Sequence, residues 1–377
     1  MTVTKPTPEE MDALARRRVG CMIAYLHPFR IVDGPESTTW SVTVESINDG
    51  SWDYVPLHEM VGGLDVGLPS PYHMIVARDG AIALPILPQL RNDQDSVEFF
   101  NRCLAALLVG GVYCEAVGLD GLDFGSVIDW KYLRSHTSGS AAPNRFHYHA
   151  RMHKASALEA ISLVSPQVVA TATLSEAMAK GRTVLDAIPE LSGEFLLKGV
   201  TGIARHNWSG ALSDLWIVVE QITSHLWTNR ILAPAKTDEA IKGRTEQLAD
   251  PRTWTTAARH ELLCQVGVIP TAVLVDLSSA RKARNELAHR GRHATASAAR
   301  SAYAACLGLM ALAAPGMPIP LMDLKVGQHE LTDPFVPRPP VKIEPTHWME
   351  IPKLPGETEL EQLEAKMRTR VEAGQEN

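Results

Sequence analysis

The stretch that decides the fold of this chain is residues 280–293, which read ARKARNELAHRGRH. Four arginines, one lysine and two histidines fall within these fourteen residues, whereas the whole chain of 377 residues carries a formal net charge of -7. A positive cluster on an otherwise acidic chain indicates one local anion site rather than a basic surface. Any contact with nucleic acid is therefore expected here.

Residues 270–290 predict an amphipathic helix that carries this cluster. Its apolar stripe consists of Val273, Leu277, Ala280 and Leu287. Arg284 falls on that stripe, while Asn285 and His289 lie together on a neighbouring face. Five helical positions place Arg284 and His289 roughly 140° apart, which is too divergent for one phosphate. Either Gly291 loosens the last turn, or a second copy of the chain completes the site.

The residue types at this spacing indicate phosphodiester chemistry. A guanidinium can hold a phosphate with two hydrogen bonds, and an imidazole can transfer a proton near neutral pH. The pattern of Arg284, four intervening residues and His289, with Asn285 directly after the arginine, resembles the Arg-x4-His motif of HEPN domains. These are small α-helical bundles, and many of them are metal-independent endoribonucleases. The long amphipathic helix before the motif, which contains Glu220, also resembles that family.

The resemblance implies a homodimer in which two motifs face each other across a cleft. His289 is then expected to act as general base or acid, Arg284 to stabilise the charge on the phosphate, and Asn285 to orient the imidazole or the phosphate. Glu220 is expected to support the site from the preceding helix. The RNA-attracting residues are expected to be Arg281, Arg290 and Arg292. Resemblance further implies a toxin or antiviral-defence effector with an antitoxin or defence-system partner.

The rest of the chain predicts an α+β protein in three parts. Residues 1–144 contain short β-leaning runs, turn signals such as Asp79-Gly80, and two helical patterns, so they predict a mixed α/β domain. The resemblance implies a sensing or regulatory role for this domain. A glycine- and serine-rich segment, residues 120–144, is the expected boundary. Residues 145–314 predict a HEPN-like helical domain, and residues 315–377 a proline-rich tail with a short terminal helix.

Cysteine usage predicts a cytoplasmic protein, and no cofactor is expected. The five cysteines are odd in number and lack CxxC spacing, so they predict reduced thiols. The longest apolar runs are short or interrupted, so no contact with a membrane is expected. No metal ligands flank the motif, so we expect RNA cleavage without metal, through attack of the ribose 2′-hydroxyl.

Three other interpretations remain open on the sequence. The first is a HEPN bundle that does not cleave RNA and serves as a dimerisation or ligand-sensing scaffold. The second is a hydrolase with a metal held by His147, His149 and His153. The third is a passive chain whose residues near the motif are modified by a nucleotidyltransferase.

Overall fold

A six-stranded antiparallel sheet forms the first part of the computed structural model, which describes residues 18–36, 39–69, 72–90, 92–137, 139–155, 157–236, 241–326 and 356–374. The strands are β1 (Arg18–Tyr25), β2 (Arg30–Asp33), β3 (Met60–Leu64), β4 (Met74–Ala77), β5 (Ala81–Pro85), β6 (Asp123–Ile128), β7 (Tyr132–Ser135) and β8 (Gln167–Ala170). The sheet has the order β3-β4-β5-β1-β6-β7, and β2 and β8 form a separate parallel pair.

The sheet curls, and its two edges meet beside β3 and β7. Along β1, Cys21, Ile23 and Tyr25 pack inside the curl, whereas Met22 and Ala24 belong to the main core. A bridge between Glu59 and Tyr132 joins the start of β3 to β7. Alternate side chains point to opposite faces of a strand, so a strand buried on both faces reads as a continuous apolar run.

The segment 120–144 was predicted as a domain boundary, but it contributes β6 and β7 to the sheet instead. Gly125 explains the misleading composition. A Cβ atom at this position would lie 2.3 Å from the carbonyl oxygen of Arg134 and 2.4 Å from Cδ1 of Ile23. Glycine is therefore present here because the neighbouring strand packs too closely for a side chain, and not because the segment needs to be flexible.

The hairpin predicted at Asp79-Gly80 joins β4 to β5, but its loop is not the expected two-residue turn. Val76 pairs with Ile82, which leaves a three-residue loop, and within this loop only Gly80 has a positive φ, of 81°. A primed two-residue turn needs positive φ at both central residues. The longer loop leaves the Asp79 side chain fully buried beneath the sheet.

Helices make up most of the remaining chain through residue 326. They are α1 (Val44–Asn48), α2 (Asp93–Val109), α3 (Ala142–Ala150), α4 (Ala157–Val164), α5 (Thr171–Asp186), α6 (Gly193–Ala204), α7 (Trp208–Trp227), α8 (Ala233–Lys236), α9 (Arg244–Ala249), α10 (Thr256–Gln265), α11 (Thr271–Arg290) and α12 (Ala296–Ala313). A five-residue π-helical turn, Thr228–Leu232, follows α7. The α+β class is therefore confirmed.

The sheet and the helical bundle share one hydrophobic core. Helix α2 packs against the sheet and also against α5 and α6, which lie beyond residue 144. At the crossing of α2 and α5, a Cβ on Gly110 would lie 1.9 Å from the carbonyl oxygen of Ala177, and a Cβ on Gly181 would lie 1.8 Å from that of Ala106. The two helices thus touch through backbone, and the core runs without interruption across the predicted boundary at 144.

Helix α7 is the centre of the bundle and contacts α6, α10, α11 and α12. The small residues Ala298, Ala302 and Ala305 of α12 are buried inside this bundle, as helices in close contact require. By length and composition alone, α12 would also be apolar enough to cross a membrane. Its Gly308 lies against α11, where a Cβ would be 2.8 Å from Cγ2 of Val273.

The C-terminal tail forms a second unit, residues 328–377. Within its described part, helix α13 (Glu357–Gly374) confirms the predicted terminal helix. The proline-rich residues 327–355 lie outside the described residues.

Candidate active site

Helix α11 ends at Gly291, as the sequence predicts. Gly291 adopts φ 63°, and its amide donates to the carbonyl of Leu287 at 3.1 Å. Glycine accepts this left-handed conformation without the steric cost of a Cβ. The helix stays regular through Arg290, so the expected loosening around His289 is not observed. The divergence of roughly 140° between Arg284 and His289 therefore persists within one chain.

The three residues predicted to act on RNA lie in the last turns of α11 and differ in exposure. Arg284 is half-buried on the stripe that holds the buried Leu277 and Ala280. Its Nη1 donates to Oδ1 of Asn285 at 3.4 Å, a long hydrogen bond. Asn285 and His289 are exposed. The predicted split between a core-facing arginine and a solvent-facing histidine is thus observed.

His289 differs from the structural histidines of this protein. His147 and His260 are 1% and 2% exposed, and each has a side-chain partner. His289 is exposed and has no hydrogen-bond or ionic partner in the part of the chain that the structure describes. Its imidazole is therefore available to a ligand from solvent.

Two of the predicted RNA-attracting arginines are paired to a carboxylate that the sequence analysis did not single out. Nη1 of Arg290 lies 2.8 Å from Oε1 of Glu286, and Nη1 of Arg292 lies 2.7 Å from Oε2. Both arginine side chains are more than 60% exposed, so each pair is worth little free energy and can exchange for a phosphate. The four-residue spacing of Glu286 and Arg290 could have predicted this pair.

Glu220, the expected supporting residue, forms no ion pair with Arg284. Its Oε1 accepts a hydrogen bond of 2.7 Å from Nε1 of Trp216, one turn earlier on α7. The carboxylate is half-buried, and within the described chain it has no cationic partner. An indole N–H satisfies it in place of a guanidinium, and among the described residues Glu220 forms no hydrogen bond or ion pair with the motif.

Behind α11 lies a buried polar contact that sequence reasoning missed. His260 of α10 bonds through Nε2 to Oγ1 of Thr223 on α7 at 2.8 Å. Burial, reinforced by the nearby positive charge of Arg281, lowers the pKa of His260 to about 4. Arg281 therefore lies close to the α7–α10 contact, in a half-buried position.

The three histidines considered as metal ligands lie on or just after helix α3, and each forms a hydrogen bond with a different partner. Nδ1 of His147 bonds to Asp79 at 2.8 Å, and Nδ1 of His149 bonds to Glu159 at 2.9 Å. Nε2 of His153 bonds to the carbonyl of Trp52. Among the described residues no group of three metal-ligating side chains converges, so the arrangement gives the metal interpretation no support.

Comparisons with protein-family models, with curated proteins and with solved structures found no match for this chain.

Proposed function

We propose that this chain is a metal-independent endoribonuclease of the HEPN type that acts as a homodimer. The observation that carries the proposal is the state of His289, which is exposed and without a structural partner among the described residues. It lies one helical turn from Asn285 and five residues from Arg284. A histidine kept for stability would resemble His260, which is buried and hydrogen-bonded.

The proposed reaction uses the ribose of the substrate as nucleophile. His289 takes the proton from the 2′-hydroxyl, whose oxygen attacks the adjacent phosphorus while the bond to the 5′-oxygen breaks. The departing 5′-oxygen receives a proton, from an imidazolium or from water, and the products end in a 2′,3′-cyclic phosphate and a 5′-hydroxyl. Arg284 stabilises the charge that builds on the phosphate oxygens, and Asn285 orients the phosphate or the imidazole. Arg281, Arg290 and Arg292 attract the RNA.

Helical geometry favours a site built from two chains. Arg284 and His289 diverge on one regular helix, so a second α11 related by a twofold axis would bring a second pair to the same cleft. The exposed stripe of α11 contains Val275, which is 64% exposed, followed toward the motif by Ser279 and Lys282. An exposed valine on this stripe is compatible with a contact to a second copy.

The deciding experiment is cleavage of matched RNA and all-deoxy oligonucleotides in the presence of EDTA. We expect cleavage of RNA alone, and we expect His289→Ala to abolish it without changing the thermal midpoint. His293→Ala is the matched control, because His293 is also exposed but lies beyond the end of the helix. Cleavage of the deoxy strand, or equal activity in His289→Ala, would refute the proposal.

Mixing two inactive variants tests the composite site. Arg284→Ala chains and His289→Ala chains should each be inactive alone. A mixed dimer should regain part of the activity, because one cleft would hold an intact Arg284 and an intact His289. Activity in a species that sediments as a monomer would argue against the two-chain site.

The alternative is a non-catalytic HEPN-type bundle that serves as a dimerisation or ligand-sensing scaffold. It would leave RNA intact, and His289→Ala would change nothing measurable. The proposed biological setting, a toxin or defence effector held by a partner, is testable by growth arrest on expression, which His289→Ala should relieve.

A further inference from the structure

A cavity lies between the β1–β2 connection and helices α3 and α4, and its lining residues are far from the motif in the sequence. Its volume is about 530 Å³, within the range of small-molecule sites. Two aromatic rings, Phe29 and Phe146, line it, with centroids 4.6 Å apart, together with Pro28 and Pro143. The walls are thus largely apolar and include two aromatic rings, so they suit a flat ligand.

His147 also lines this cavity and offers it one unsatisfied ring nitrogen. Nδ1 of His147 is bonded to Oδ2 of Asp79 at 2.8 Å. One face of the imidazole stacks on the ring of Tyr25, with centroids 4.0 Å apart. Nε2 has no partner among the described residues, although His147 is only 1% exposed. A ring nitrogen without a protein partner, on a residue that lines a cavity, can form a hydrogen bond with a ligand or with water.

Arg151 determines which hydrogen-bonding role Nε2 has. Its Nε and Nη2 donate to the two oxygens of Asp79, each at 2.7 Å. Burial alone would raise the pKa of Asp79, but Arg151 and His147 hold it well below its usual range. The charge of the carboxylate is thus balanced by the guanidinium. Burial lowers the pKa of His147 despite Asp79, so its imidazole is neutral, with the proton on Nδ1 and a lone pair on Nε2.

A neutral imidazole held in this way is a hydrogen-bond acceptor rather than a catalytic base. A histidine that acts as a catalytic base becomes a positively charged imidazolium. A neighbouring carboxylate assists such a base by stabilising this charge. Here Arg151 opposes that stabilisation, because its positive charge lies on the same carboxylate. The ligand that fits is therefore one that donates an N–H or O–H to Nε2 and stays unreacted.

The remaining polar groups of the cavity select against an anionic ligand. Ser162, Ser165 and Gln167 line the α4 side and can donate or accept hydrogen bonds. Glu159 is the one acidic residue among the lining residues, no lysine or arginine lines the described cavity, and Glu159 bonds to His149 at 2.9 Å. A phosphate would meet the Glu159 carboxylate here, and burial lowers the pKa of the lining His27, which disfavours its cationic form.

We propose that this cavity binds a neutral nucleoside or free nucleobase, with an N–H of the base donating to Nε2 of His147. The flat base lies against Phe29 and Phe146, and the hydroxyl and amide groups of the α4 side meet the remaining polar edge. This site shares no residue with the 281–292 stretch and does not depend on the ribonuclease proposal.

Calorimetric titration of the full chain with adenosine, guanosine, cytidine and uridine, their free bases and their 5′-monophosphates tests the proposal. We expect saturable binding of at least one nucleoside or base, and weaker binding of its monophosphate. His147→Asn keeps an amide N–H toward Asp79 but lacks Nε2, so it should weaken binding about tenfold.

Ala142→Trp provides a second variant that leaves the Asp79 network intact. Ala142 is exposed and lines the cavity, so an indole at this position should fill it and abolish binding even if His147→Asn fails to fold. Arg145→Trp is the matched control, because Arg145 is exposed on the same helix but does not line the cavity. No binding to the unmodified chain at millimolar ligand, unchanged binding in Ala142→Trp, or tighter binding of the monophosphate would each overturn the proposal.

Discussion

Acidification from pH 7 to pH 4 should destabilise this protein more than a variant in which His260 is replaced by glutamine. His260 is 2% exposed, and burial, reinforced by the charge of Arg281, lowers its pKa from 6.5 to about 4. The unfolded chain takes up a proton as the pH falls below about 6.5, whereas the folded chain stays unprotonated until about pH 4. The stability present above pH 6.5 is therefore lost progressively across this window.

The expected loss in the free energy of unfolding follows from the two pKa values of His260, 6.5 in the unfolded chain and about 4 in the folded chain. A free energy of about 1.4 kcal/mol per pH unit, applied between 6.5 and about 4, gives a loss of about 3 kcal/mol. The side chain is nearly inaccessible to solvent, so screening by water reduces this value little. For a protein of ordinary stability, about 3 kcal/mol is a large fraction of the free energy of unfolding.

Urea unfolding at several pH values between 7 and 4 measures the effect. His260→Gln preserves a hydrogen-bonding group for Thr223 and removes the titration, so its free energy of unfolding should fall less with acidification, by about 3 kcal/mol. Thr223→Val is the control, because it removes the hydrogen bond but keeps His260; it should be less stable at every pH by about 1 kcal/mol. Parallel pH profiles for the unmodified chain and His260→Gln would refute the reasoning.

Three further predictions concern other parts of the molecule. Arg151→Ala should lower the free energy of unfolding by about 3–5 kcal/mol, because it leaves Asp79 buried without its guanidinium; a loss below about 1 kcal/mol in urea unfolding would contradict this. Gly181→Ala should cost about 1–3 kcal/mol or more, since its Cβ would lie 1.8 Å from the carbonyl oxygen of Ala106, and an unchanged thermal midpoint would disprove the backbone contact. Glu286→Gln should tighten RNA binding and steepen its salt dependence, as measured by fluorescence anisotropy, because two arginines lose their carboxylate; weaker binding would count against these arginines as an RNA surface.

Sequence periodicity predicted the bundle well because the relevant information is local. Helices α7, α10, α11 and α12 each carry an apolar stripe over at least ten residues, and Gly291 terminates α11 through its own backbone preference. The exposure of Asn285 and His289 follows from helical geometry alone. These features need no knowledge of distant residues.

The features that sequence reasoning missed depend on partners far apart in the chain. Asp79 and His147 are separated by 68 residues, and no sequence pattern near either residue predicts their hydrogen bond. Gly125 belongs to the glycine-rich segment that was predicted as a domain boundary, and the close approach of Arg134 that it permits is visible only when the sheet is formed. Glu220 is different, because its partner, the indole N–H of Trp216, lies one turn away on the same helix.

The continuous packing of α2 between the sheet and helices α5 and α6 has a consequence for how this architecture can be inherited. A bundle with its own closed core can be moved between genes by recombination, because its surface stays polar wherever it is placed. Here, a break after residue 144 would expose the apolar sides of α2 on one fragment and of α5 and α6 on the other. Neither fragment would have a closed hydrophobic core of its own. New variants of this protein are therefore more easily reached by substitutions in loops and on the surface than by recombination between its two parts.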